Sequence, residues 1–101
     1  MHVTIGMIAL NEEEYLEKNL QQHYDFADKI VIVEGADRLY PKERVTANGL
    51  STDHTAEIVQ SFPDPDKKIR FVQHGWTIQE GPQAKCELRN RYLENITDGL
   101  L

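Results

Sequence analysis

Four consecutive β-branched residues, Ile30-Val31-Ile32-Val33, leave this chain few ways to fold. A strand with one face in water alternates apolar and polar residues, whereas a strand that is apolar at every position must be covered on both faces. In practice that means a parallel sheet between two layers of helix. Val3 to Leu10 has the same character, and Ile69-Arg70-Phe71-Val72 supplies a third short strand. Between the strands the apolar period lengthens to that of a helix. Leu16, Leu20 and Tyr24 recur every four residues with Ala27 behind them. Ala56, Ile58, Val59 and Phe62 form the buried set of a second helix that Pro63 stops. Ala84, Leu88, Tyr92 and Ile96, with Leu93 beside them, mark a third. Strand and helix alternating three times predict right-handed crossovers and a Rossmann-like, three-layer α/β/α architecture with a mostly parallel sheet.

Local signals set the boundaries. Asn11 with Glu14 three residues on has the form of a capping box, and Glu12, Glu13 and Glu14 suit the positive end of a helix dipole. Ser51 or Thr52 is placed to cap the second helix, and Pro82 suits the first turn of the third. Asp98-Gly99 would close that helix, with Leu100 and Leu101 reading as the opening of a fourth strand. From Ala36 to Leu50 no period survives, and Pro41, Asn48 and Gly49 mark a long surface loop. It reads as mobile, with Arg38, Lys42 and Arg44 available to close over a bound anion.

The 101 residues suffice for one domain, which by area scaling buries somewhat over ~60% of its unfolded surface. A net charge of −6 argues against a nucleic-acid binder, whose affinity rests on many cationic contacts to phosphate. No apolar run approaches the ~20 residues of a membrane span, and no basic segment precedes the first apolar stretch. A cytoplasmic location is the expectation. The single cysteine, Cys86, has no partner for a disulfide or zinc knuckle and reads as a buried or half-buried thiol.

In such sheets ligands bind beyond the carboxyl ends of the strands. The residues to weigh are therefore Leu10 and Asn11, Glu34 and Gly35, and His74 and Gly75, together with the Ser51-Thr52-Asp53 helix start and its backbone amides. Lys85 and Arg89, four apart on the third helix, add cationic donors. Each has a structural alternative. Asn11, Ser51 and Thr52 are helix caps in that reading, Glu34 is a solvated strand end, and Lys85 and Arg89 are a solvated helix face. His2, His23, His54 and His74 have no metal-ligand spacing.

Four of these segments, in this order, resemble the family 2 glycosyltransferases of the GT-A fold. They are Ile8-Ala9-Leu10-Asn11-Glu12-Glu13-Glu14-Tyr15-Leu16, Val31-Ile32-Val33-Glu34-Gly35, Ser51-Thr52-Asp53-His54-Thr55, and Gly81 through Arg89-Asn90. The resemblance spans nearly the whole chain and identifies residues 1–101 as the N-terminal, nucleotide-sugar-binding part of an incomplete GT-A domain. It implies that Leu10 and Asn11 rim a base pocket and that Glu34 reads base or ribose. Asp53 would lie on the nucleoside side, and Arg89 would meet the pocket and the diphosphate, with Lys85 a candidate donor contact by its charge and its place one turn before Arg89. Two departures stand out. Residues 36–50 intervene where the family runs directly into its STD segment, and Gly35 replaces a second acidic residue.

The resemblance further implies a divalent cation, manganese or magnesium, on the diphosphate of the complete enzyme. Asp64-Pro65-Asp66 has the spelling of the family's metal motif, but it falls between the second helix and third strand, at the pole opposite the strand carboxyl ends. No metal is therefore expected through this chain, and no catalytic residue is assigned within it. The expected partner is a nucleotide-diphosphate sugar, with self-association through an exposed sheet edge. The rival readings are a non-catalytic α/β interaction module and a nucleotidyltransferase-like domain.

Overall fold

The computed structural model describes residues 3–98, with side chains through residue 94. The order is β1 (Thr4–Ala9), α1 (Glu13–Tyr24), β2 (Lys29–Ala36), a 3-10 turn (Lys42–Arg44), α2 (Thr55–Ser61), β3 (Ile69–Trp76) and α3 (Pro82–Asp98). The strands form one parallel sheet in the order β1-β2-β3, with β2 central. This is the three-layer α/β arrangement that the apolar runs predict. The expectations for His2, the Ile96 side chain, Gly99, Leu100 and Leu101 lie outside the described residues.

β2 is why the sheet has two covered faces. Its residues from Ile30 to Ala36 are all buried. Ile30 and Ile32 pack with Leu16, Leu20, Tyr24, Ala27 and Val59 on the side of α1 and α2. Val31 and Val33 pack with Leu88 on the side of α3. At roughly 1.5–3 kcal/mol per fully buried aliphatic side chain, this strand contributes more apolar burial than any other segment. Leu93, expected beside the α3 stripe, is instead 51% exposed. It follows Tyr92 by 100° around the helix, outside the arc that reaches the sheet.

Register breaks once. Glu34 pairs with Gln73, but Gly35 pairs with Gly75, so His74 is an extra residue on β3. Such a bulge bends the strand and re-aims its side chains. Gly75 follows at φ +79°, a conformation that favours glycine. The strand then continues to Trp76, four residues past the Ile69-Arg70-Phe71-Val72 run that the sequence marks. Gly35 is glycine for another reason. A Cβ there would lie 2.7 Å from the Gly75 carbonyl oxygen and 2.7 Å from Leu88 Cδ2.

The 36–50 segment is anchored, contrary to the mobile loop the sequence suggests. Trp76 Nε1 donates to the Ala47 carbonyl at 2.9 Å, and the Trp76 amide donates to the Asn48 carbonyl at 3.2 Å. Val45 is buried and bridges antiparallel to Ser51. One tryptophan and one valine, neither in a periodic pattern, supply what the loop's composition hides.

At the amino ends of the strands, Asp64 accepts the Tyr24 hydroxyl at 2.6 Å and the amides of Lys68 and Ile69 at 2.7 and 3.0 Å. Burial pushes its carboxyl up, but the Tyr24 hydroxyl, the two amides and the Lys68 charge outweigh that and hold it below the usual range. Asp64 thus closes the turn into β3, at the pole the sequence assigns it.

Two outcomes follow. Gly35→Ala should cost about 1–3 kcal/mol in chemical denaturation, because neither the carbonyl nor Leu88 can move aside without opening the sheet. Asp64→Asn should lower stability near neutral pH and flatten the acid limb of the stability curve. A carboxyl lowered in the folded state stabilises above its unfolded value, ~4, and loses that contribution as pH falls through its folded value. Equal acid sensitivity in the Asn variant and the parent would refute this role.

Candidate functional site

The carboxyl ends of β1 and β2 are joined by a compact hydrogen-bond clip. Asn11 adopts φ 51°, in the left-handed region. Its amide donates to Ser51 Oγ at 2.9 Å, its Nδ2 donates to the Arg44 carbonyl at 2.8 Å, and its Oδ1 accepts the Thr52 amide at 2.9 Å. The capping box is therefore absent. Asn11 serves the neighbouring segment rather than its own helix, and Glu12 takes the cap position without a side-chain cap bond.

The orphan amides of α1 are satisfied from across the chain. The Glu12 amide donates to Thr55 Oγ1 at 2.8 Å, and the Glu13 amide donates to Asp53 Oδ2 at 3.1 Å. In return, Glu13 Oε2 accepts the His54 amide at 3.2 Å and lies 2.8 Å from His54 Nδ1. Asp53 Oδ1 also accepts the Thr55 amide at 2.9 Å. Two helix starts, α1 and α2, thus cap each other, with each carboxylate at a positive dipole end.

These bonds set the local charge states. Partial burial alone would push the Asp53 carboxyl up, but the Thr55 hydroxyl and amide and the Glu13 amide hold it below its ordinary value. The hydrogen bond to the Glu13 carboxylate, with the charges of Glu57 and Glu13, raises the pKa of His54.

Glu34 closes the clip from below. It is 1% exposed, and its Oε2 accepts the Ser51 amide at 3.0 Å while its Oε1 accepts Gln73 Nε2 at 3.0 Å. The 36–50 excursion therefore returns to the strand it leaves, and Asn11, Glu34 and Asp53 share one locality despite the insert. The free amides expected at the Ser51-Thr52-Asp53 helix start are not free. Those of Ser51, Thr52, His54 and Thr55 are all bonded within the chain.

Lys85 and Arg89 stand apart from this cluster. They are exposed on α3, which covers the other face of the sheet, and neither pairs with an acid among the described residues. Leu10 is half-buried at the end of β1. The sequence-assigned set is thus divided between two layers, with the carboxyl edge of the sheet as their common ground.

The sequence singles out neither Glu87 nor the pairing of His74. The bulge turns His74 toward α3, where its Nε2 lies 2.5 Å from Glu87 Oε2. Glu87 also accepts the amides of Ile78 at 2.8 Å and Gln79 at 2.9 Å. Burial pushes Glu87 up, yet the Gln79 amide, the His74 ring and the Ile78 amide together hold it below the usual range. An ionised Glu87 only accepts, so the facing His74 nitrogen carries the proton. Cys86 is exposed, not buried. Two residues past Ala84, it points away from the sheet.

Among the described residues no group of three or more His, Cys, Asp and Glu side chains is arranged to hold a metal ion. No helix among them is long and apolar enough to cross a membrane. Comparison with family models, with curated proteins and with solved structures finds no match.

Asp53→Ala should remove both its capping bonds and lower stability by about 1–2 kcal/mol, with amide exchange accelerating at Glu13 and Thr55 together. Faster exchange at Thr55 alone would show that the two helix starts are not coupled.

Proposed function

We propose that this chain binds the nucleoside diphosphate portion of a sugar donor, as part of a glycosyl-transfer enzyme of the family 2 type. The observation that carries the reading is the pair of unpaired cations, Lys85 and Arg89, in the first turns of the helix that leaves the carboxyl edge of the sheet. In parallel sheets that edge is where ligands bind. A guanidinium one turn from an ammonium suits a diphosphate, the first through two parallel donors and the second as a point charge.

On the other layer, Glu34 is buried behind Gln73, whose own residue is exposed. An imide N–H or a ribose hydroxyl would take the place of the Gln73 carboxamide at Oε1, while the Ser51 amide keeps Oε2. Displacing an exposed glutamine costs little beyond the one bond it makes. Asn11 and Asp53 act in this reading as positioning residues, because their polar atoms hold segment 51–55 in place.

A second reading has its own support. The side chains of Asn11, Glu34 and Asp53 are all engaged internally, as expected of a non-catalytic α/β module that uses the fold without the chemistry. Self-association belongs to either reading. β1 has no strand on its outer side among the described residues, and Ile8 is 37% exposed along it. Sedimentation should show mass rising with concentration, and Ile8→Lys should suppress it. A parent that stays monomeric at the highest attainable concentration would exclude pairing through this edge.

Calorimetry with uridine and guanosine diphosphates separates the two functional readings. Binding should be weak, should fall with added salt and should depend little on manganese or magnesium. Arg89→Ala should weaken it by about 1–3 kcal/mol, the range of a charge-assisted contact. No heat at low salt, or an Arg89→Ala variant equal to the parent, would favour the non-catalytic module.

A further inference from the structure

The flank of α3 opposite Lys85 and Arg89 borders a cleft of about 640 Å³, within the ~300–1,000 Å³ typical of small-molecule sites. Its framework is fixed, because Glu87 binds the wall formed by Ile78 and Gln79 to the helix and holds the His74 ring against it. The carboxamides of Gln79, Gln83 and Asn90 line the same cleft, and none has a hydrogen-bond partner among the described residues. Ile78 adds an aliphatic patch that is 77% exposed.

The chemistry of this lining is selective. No lysine or arginine lines the cleft, and its one carboxylate is already engaged, so nothing there attracts a phosphate. No aromatic side chain other than the engaged His74 lines it, so a nucleobase would lack a stacking surface. Its lining is a helix flank, a loop and His74, the single bulged residue of the edge strand β3, too short a stretch of strand to offer an extended peptide a ladder of backbone groups. What fits is a neutral ligand whose polar groups both donate and accept. Hydroxyls do both, as carboxamides do, and the C–H face of a sugar ring suits Ile78.

We propose that the cleft formed by His74, Ile78, Gln79, Gln83 and Asn90 is a saccharide-binding site, separate from the cationic flank of α3. It rests on none of the nucleotide reading and stands or falls by its own test. Cys86, the only cysteine of the chain, lines the cleft and reports on it. In a panel of glucose, galactose, N-acetylglucosamine and their disaccharides at millimolar concentration, at least one should slow alkylation of Cys86 by iodoacetamide. The same sugar should shift the amide resonances of Ile78, Gln79, Gln83 and Asn90. The double variant Gln83→Ala, Asn90→Ala, altered only at exposed helix positions, should bind that sugar about tenfold more weakly while its spectrum elsewhere is unchanged. Uridine diphosphate should leave the Cys86 rate unaltered. Failure of every sugar to protect Cys86 or shift these amides overturns the assignment. So does protection that survives in the double variant, or protection given by a short neutral peptide and by no sugar.

Discussion

A carboxylate with 1% exposure must be paired, and the pairing of Glu34 organises much of this molecule. Desolvating a carboxylate costs several kcal/mol unless hydrogen bonds replace its water. Glu34 finds one donor in the Ser51 amide and one in Gln73, so its side chain at the end of the central strand ties back the segment that leaves it. Ser51 and Thr52 in turn dock on Asn11 at the end of β1. One buried side chain thus ties three chain segments, and the mutual capping of α1 and α2 involves the residues 51–55 that it holds.

That arrangement separates what an α/β sheet can offer a ligand from what this one has spent. Helix starts and strand-end carboxylates are general anion and hydroxyl sites. Here the amides of the α2 start are occupied by Asn11, Glu13, Glu34 and Asp53, and those of the α1 start by Asp53 and Thr55. An incoming anion at these helix starts would compete with carboxylates already in place. Exposed cations without an acidic partner among the described residues stand on α3, at Lys85 and Arg89, and in the 3-10 turn beside the clip, at Lys42 and Arg44.

The sheet was legible because four β-branched residues in a row admit few environments, and the helices because their buried residues recur every four. Boundaries and the clip were not. Asn11 followed by Glu14 carries a capping-box signal, yet the competing acceptors lie some 40 positions away in sequence, at Ser51 and Asp53, where no local pattern sees them. The anchoring of 36–50 depends on Trp76, an aromatic beyond the expected end of β3, and the strand reaches that residue only because a bulge absorbs His74. Cys86 was misplaced because composition favours burial for a free thiol, whereas its angle from Ala84 and Leu88 turns it outward. Local periodicity fixes which residues face the sheet, and long-range hydrogen bonds fix how the loops are spent.

Gly35 links these two levels. The resemblance drawn from the sequence leads to the expectation of a second acidic residue after Glu34, where this chain has Gly35. The packing gives a physical reason that precedes function. On the α3 face of β2, position 35 lies against the backbone of Gly75 and against Leu88, with no space for a Cβ. The close approach exists because the bulge at His74 shifts β3 by one residue, bringing Gly75 opposite Gly35. The same shift delivers His74 to Glu87 on α3. A second carboxylate after Glu34 is therefore incompatible with the strand pairing that builds the His74–Glu87 contact, and this chain has the contact. The bulge that leaves no space for a side chain at position 35 is the one that turns His74 to α3, so the two features stand or fall together.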